Sequence, residues 1–161
     1  MTATLPAALA ADHEPSGIEI SQLLDATLRL SNVVLFNSIG GCTLSTTSAT
    51  YVNVQGAFQS YSKVGDANES DILILVAVGS WVSAVPNYMS FTIAEGVNTH
   101  DTHLSYFNTA NHHDTSFGTC RISNMTPNTY AFQLQASVTG GATAHIDTSD
   151  TVMMLIMEIP L

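Results

Sequence analysis

A series of short strand-like runs, separated by turn residues, fills residues 33–161 and limits the fold of this chain more strictly than any other feature. Residues 130–138 alternate cleanly between apolar and polar side chains, as a half-buried strand does. The alternation around residue 52 places four residues on one predicted face: Val52, Val54, Gly56 and Phe58. Eight or nine such runs predict an antiparallel β-sandwich or barrel.

Two of the runs, residues 72–78 and 152–157, are apolar on both faces. Because one face of an antiparallel sheet normally meets water, each run needs a second covering surface. A helix at residues 18–30 could cover one of them. Burial between subunits of a homotrimer is the favoured explanation, since one short helix cannot cover both strands. The predicted trimer interface consists of Ile72, Ile74, Val76, Met153, Leu155 and Met157.

The first 32 residues have a different character. Residues 1–15 show no periodicity and predict an extended arm. Ser16 and Glu19 fit a capping box, and apolar residues at helical spacing then predict one short amphipathic helix. We therefore expect an arm and helix over residues 1–32 and a β-domain over residues 33–161. We find no signal-peptide pattern and no membrane-length apolar stretch, so we expect synthesis in a host cytoplasm.

The charge balance restricts the partners. Three Lys and Arg residues face 13 Asp and Glu residues, for a net charge of −10. Such a chain repels phosphate groups, so neither nucleic acid nor a membrane surface is an expected partner. Charged residues make up only 10% of the sequence, which suggests that much of the surface is covered in the working state. Cys42 and Cys120 are expected to be free buried thiols, unless the fold brings them together.

Histidines are the main candidates for a chemical site. The candidate metal ligands are His100, His103, His112 and His113. Imidazoles with nearby carboxylates suit a divalent metal, but these pairs lack the i, i+4 spacing of a helical zinc site. We expect residues 95–114 to form long loops with one short strand, and the histidines to be ordinary loop residues. A structural metal remains the alternative.

Catalytic signatures are missing from the sequence. It contains no nucleophile elbow, metalloprotease helix or phosphate-binding loop. The carboxylates are scattered, although a glycosidase with two facing carboxylates stays open. We expect no enzymatic activity and no cofactor. Trp81, Tyr88 and Phe91 are expected to lie in the core rather than form a ligand platform.

Three segments carry a resemblance to known proteins. Residues 45–54, Ser-Thr-Thr-Ser-Ala-Thr-Tyr-Val-Asn-Val, resemble the opening strand of jelly-roll modules in structural proteins of tailed bacteriophages. Residues 122–135 resemble their later hairpin, with Asn128 where Gly is usual, and residues 147–159 are similar to their last strand. The resemblance spans residues 43–160. It implies a tumour-necrosis-factor-like or related jelly roll, often trimeric, on capsids or at the tips of tail fibres.

The resemblance leads to an expected function. The small size, without a fibrous stalk, and the N-terminal arm favour a capsid decoration (cement) protein. It would bind the major capsid protein on the outer surface of a tailed-phage head. The alternative is a tail-associated receptor-binding domain that uses residues 95–114. Capsid attachment is expected through Thr2, Leu5, Pro6, Leu9, Ile18, Leu24 and Leu28.

Overall fold

The computed structural model describes residues 33–161, which form ten β-strands and no helix. Within this range no helix could span a membrane. The strands are β1 (Val34–Ile39), β2 (Leu44–Thr46), β3 (Val52–Lys63), β4 (Ser70–Val82), β5 (Asn87–Glu95), β6 (Asn98–Phe107), β7 (Asp114–Ile122), β8 (Asn128–Val138), β9 (Ala144–Ile146) and β10 (Thr151–Pro160). The expected arm and helix of residues 1–32 lie outside the described residues.

The strands form two antiparallel sheets. In the first, β10 lies between β1 and β4, and β7 pairs with the other side of β4. In the second, the order is β3-β8-β5-β6. This pair of four-stranded sheets, with chain crossings between them, is the jelly-roll arrangement of two Greek keys. A short antiparallel pair, β2 with β9, extends the first sheet from the end of β4. The predicted all-β jelly-roll sandwich is confirmed.

A β-bulge in β3 reverses the predicted alternation. Residues 54–57 face only Leu134 on β8, because pairing resumes at Phe58. Gly56 allows the bulge with φ +81°, where a Cβ would lie 2.5 Å from a backbone oxygen of residue 41. The Gln133 amide donates to two bulge carbonyls at 2.8 and 2.9 Å. As a result Phe58 is 51% exposed, so its predicted place beside Val54 is wrong.

The region predicted as loops, residues 95–114, mostly forms a strand. β6 continues from β5 through a tight turn at Gly96, where φ is +58°. β6 is the edge strand of its sheet, so polar side chains are tolerated as long as the backbone pairs with β5. The Thr92 hydroxyl strengthens this pairing by donating to the His100 carbonyl at 2.9 Å. The loop prediction for this stretch is therefore wrong. Its polar composition suggested a loop, but the strand depends on backbone hydrogen bonds to β5, which composition does not reveal.

A buried ion pair ties the loop after β3 to the last strand. Lys63 and Glu158 have side chains with no exposed surface, and Nζ lies 3.5 Å from Oε1. Glu158 accepts hydrogen bonds from the Val64 and Gly65 amides at 3.1 and 2.7 Å, and from the Ser70 hydroxyl. Burial raises the pKa of Glu158, but these hydrogen bonds and the charge of Lys63 outweigh it. The net pKa of Glu158 lies below its usual range.

Removing one partner of this pair should cost much of the stability. We expect Lys63→Met to lower the free energy of unfolding by about 3–5 kcal/mol, since it leaves Glu158 buried and unpaired. The double variant Lys63→Met/Glu158→Gln should recover part of the loss, because a neutral amide still accepts from the loop. Urea unfolding measures both. A double variant no more stable than the single one would contradict the ion-pair explanation.

The same pair predicts an acid dependence of stability. Because the folded pKa of Glu158 is depressed, its contribution is complete above about pH 4.3, its unfolded value, and is lost as pH falls through the folded value. Glu158→Gln should therefore show a smaller decrease in the free energy of unfolding below that pH than the wild type. Urea unfolding at a series of pH values tests this. Equal decreases would show that Glu158 does not contribute.

Candidate interaction surface

The outer face of the first sheet is the most distinctive surface of the described chain. Cross-strand pairing places Leu35, Leu155, Leu75 and Thr119 in one row across β1, β10, β4 and β7. The ends of the face are the most open: Leu35 is 58% exposed on β1 and Phe117 is 67% exposed on β7. The side chains between them are half-buried by one another. We call this surface the apolar face; it consists of Leu35, Ile39, Leu73, Leu75, Ala77, Phe117, Met153, Leu155, Met157 and Ile159.

The charged residues on the outward positions of these four strands form one neutralised pair. Arg121 Nε lies 2.6 Å from Asp71 Oδ2, which also accepts from the Ser123 hydroxyl at 2.9 Å. Asp71 is only 1% exposed, although it lies on the outer side of β4. The pair lies at the β7 side of the face, next to Leu73. The centre of the face therefore presents no charge to a partner.

The second sheet has a very different outer face. Gln135 on β8 donates to the Asn53 side chain of β3 at 2.8 Å, and Ser62 on β3 bonds the Thr129 hydroxyl at 3.0 Å. Apart from the exposed rings of Phe58, Tyr88 and Tyr106, this polar face is what an antiparallel sheet shows to water. Within residues 33–161, the contrast between the two sheets identifies the apolar face as the more extensive uncovered apolar surface.

Half of the predicted trimer interface points the wrong way. Ile72 and Ile74 are 0% exposed in the core between the sheets, and Val76 packs against that core. In β4 the outward positions belong instead to Leu73 and Leu75. The sequence could not choose between the two faces, because the run is apolar at every position. The other predicted residues, Met153, Leu155 and Met157, lie on the apolar face.

The four candidate metal-binding histidines do not form one site in the structure. His100 and His103 lie on β6, and His103 packs over Gly118 of β7. Nε2 of His100 is buried without a hydrogen-bond partner in the described residues. His112 is exposed. The described residues bring together one group that could hold a metal, and His113 is its only member from the predicted set.

That group contains two carboxylates that the sequence analysis did not pair. Asp147 and Asp150 lie in the turn between β9 and β10, and His113 immediately precedes β7. His113 Nδ1 lies 2.7 Å from Asp150 Oδ1, and Nε2 lies 3.9 Å from Asp147 Oδ2. The hydrogen bond to Asp150 raises the pKa of His113. The sequence did contain a signal for this turn. Residues 147–150 are Asp-Thr-Ser-Asp, and side chains of these types favour turns because they form hydrogen bonds with nearby backbone amides.

Other candidate residues are distributed between core and surface. Phe91 is buried as expected, but Tyr88 is 48% exposed and packs on Tyr106, with ring centroids 4.9 Å apart. Trp81 stacks on His145 at 3.8 Å, and burial lowers the pKa of that histidine. Cys42 and Cys120 are buried and do not form a disulfide with each other, as predicted. The predicted capsid-attachment residues Thr2, Leu5, Pro6, Leu9, Ile18, Leu24 and Leu28 lie outside the described residues.

Comparison with known proteins gives only distant structural similarity. No protein-family model matches the chain, and no curated protein matches it in sequence. Dimeric latent PorU from Porphyromonas gingivalis aligns over 81% of this chain but only 13% of its own, at 6% identity and TM-score 0.45. Eiger TNF from S. frugiperda aligns over 78% of this chain and 92% of its own, at 7% identity and TM-score 0.46.

A third similar structure is the C-terminal CBM6 of LamC from Zobellia galactanivorans. It aligns over 78% of this chain and 99% of its own, at 14% identity and TM-score 0.34. Because all three TM-scores lie below 0.5, these similarities carry no weight for function. The jelly-roll assignment rests on the strand order of the chain itself.

Proposed function

We propose that this protein is a non-enzymatic structural protein of a virus particle that self-associates through its apolar face. The observation that supports this is the face itself, ten apolar side chains across four strands with no charge at the centre. Fully burying one Leu or Met side chain contributes about 1.5–3 kcal/mol relative to exposure. The free energy gained by burying even part of this set is comparable to the free-energy cost of bringing two proteins together, about 4–15 kcal/mol.

The shape of the face supports a closed ring of identical subunits. Its most exposed side chains lie on opposite edges, Leu35 and Ile39 on β1 and Phe117 on β7. In a ring, the β7 edge of one copy can pack against the β1 side of the next, so that both edges are covered by one repeated contact. The phage jelly-roll resemblance of residues 43–160 makes a homotrimer the proposed size.

Within a particle, we propose the role of a capsid decoration protein on the outside of a tailed-phage head. The net charge of −10 suits an outer surface, away from packaged nucleic acid. The major capsid protein is the proposed partner. Residues 1–32, which precede the jelly roll, are proposed to make the attachment.

A single charge in the apolar face should prevent assembly. Leu155→Lys places an ammonium group in the central row, where burial against a partner would remove it from water without a counter-charge. We expect monomers in sedimentation-equilibrium experiments where the wild type forms trimers. Ala131→Lys, on the exposed outer side of β8, is the matched control and should assemble normally. Trimers of folded Leu155→Lys would exclude this face as the interface.

Deleting residues 1–32 should separate attachment from assembly. We expect the truncated protein to remain trimeric and to lose binding to expanded capsids, measured by co-sedimentation. Labelled full-length protein should then decorate phage heads in regular copies by electron microscopy. Retained capsid binding would move the attachment site into residues 33–161.

The second candidate is a tail-associated receptor-binding domain, and the exposed Tyr88–Tyr106 pair favours it. Two tyrosine rings 4.9 Å apart on the β5–β6 hairpin offer an aromatic surface for a ligand. Label confined to the tail end of virions, rather than spread over the head, would select this function over capsid decoration.

A further inference from the structure

His113, Asp147 and Asp150 converge from two separate segments at one end of the sandwich. The turn between β9 and β10 provides both carboxylates, and the residue before β7 provides the imidazole. One nitrogen or oxygen from each residue lies within 4.8 Å of the others. First-row divalent ions bind such atoms at about 2.0–2.2 Å, so neighbouring ligands lie about 3 Å apart. Asp150 faces Nδ1 of the imidazole and Asp147 faces Nε2, so the imidazole must turn until one nitrogen and one oxygen of each carboxylate meet on a single ion.

The two carboxylates are held so that one oxygen of each faces the imidazole. Asp150 Oδ2 accepts from the Asp147 amide at 2.9 Å, which leaves Oδ1 toward His113. Asp147 Oδ1 accepts from the Ser149 amide at 2.8 Å, which leaves Oδ2 on the His113 side. Trp81 Nε1 donates to that same Oδ2 at 3.0 Å. Such outer hydrogen bonds orient the ligands of a metal site.

The negative charge of the two carboxylates in this group also favours binding of a cation. Asp150 has a side chain only 2% exposed, and its ion-pair partner in the described residues is an imidazole. The two Lys and Arg residues in this part of the chain are engaged elsewhere, Lys63 with Glu158 and Arg121 with Asp71. Two carboxylates therefore share one imidazole, which can carry at most one positive charge. A bound divalent ion would balance them.

We propose that His113, Asp147 and Asp150 bind a divalent transition-metal ion of the Zn²⁺ type. One imidazole with two carboxylates suits such an ion, whereas Mg²⁺ and Ca²⁺ favour sites made entirely of oxygen ligands. His113 and Asp147 are 43% and 41% exposed, so water can complete the coordination. The ion would link the β9–β10 turn to the start of β7. This site does not depend on the role in assembly proposed above.

Zn²⁺ titration of the full chain after chelator treatment tests the proposal. We expect calorimetry to show one high-affinity Zn²⁺ per chain, with Mg²⁺ binding far more weakly. His113→Gln and Asp147→Asn should each weaken Zn²⁺ binding at least about tenfold. The neighbouring exposed residue gives the matched control, His112→Gln, which should bind as the wild type does.

The single tryptophan provides a second readout. Trp81 is the only Trp in the chain and contacts Asp147, so Zn²⁺ should change its fluorescence in the wild type and in His112→Gln but not in His113→Gln. Circular dichroism establishes that each variant is folded, and the exposure of His113 makes its substitution tolerable. Absence of Zn²⁺ binding, equal affinity for Mg²⁺, or wild-type affinity in folded His113→Gln would each overturn the proposal.

Discussion

Strand β4 is the element on which the rest of the structure depends, because it is paired on both sides and apolar on both faces. β10 and β7 saturate its backbone over most of its length, and β9 pairs with its last residues. Its inner side chains, including Ile72 and Ile74, are fully buried by the second sheet. Among residues 33–161, its outer side chains Leu73 and Leu75 receive cover only from their neighbours in the sheet. Folding of residues 33–161 therefore buries one face of β4 and leaves the other without a covering layer in that part of the chain.

The sequence was sufficient for the fold class but not for the direction of individual side chains. Alternation in residues 130–138 identified β8, although the polar composition of residues 95–114 concealed most of β6. Within residues 72–78 every position is apolar, so periodicity could not tell Ile72 and Ile74 from Leu73 and Leu75. At Phe58 the alternation was visible but misleading. The bulge at Gly56 shifts the strand register, so the side chains after it point to the opposite face from the one that the alternation predicts. Both errors arise from tertiary packing that a local pattern does not encode.

Polar contacts were the least predictable part of the candidate sites. Asp147 and Asp150 are close because a turn folds back on itself, and His113 joins them from 34 residues earlier in the sequence. Likewise Lys63 and Glu158 are 95 residues apart and meet only when β3 and β10 are in place. Residue type indicated what such groups could do. Their partners followed from the jelly-roll topology, which determines the distances between strand ends.

The placement of the few positive charges connects stability to self-association. Lys63 is buried with Glu158 and Arg121 is paired with Asp71, so both are used to neutralise carboxylates rather than to attract a partner. The remaining acidic groups give each copy a negative field, which opposes association until it is screened over about 8 Å at physiological salt. An interface can still form on a part of the surface that has no charged side chains of its own. The uncharged centre of the apolar face meets this condition, so in the proposed assembly hydrophobic burial there would act against repulsion from distant charges only.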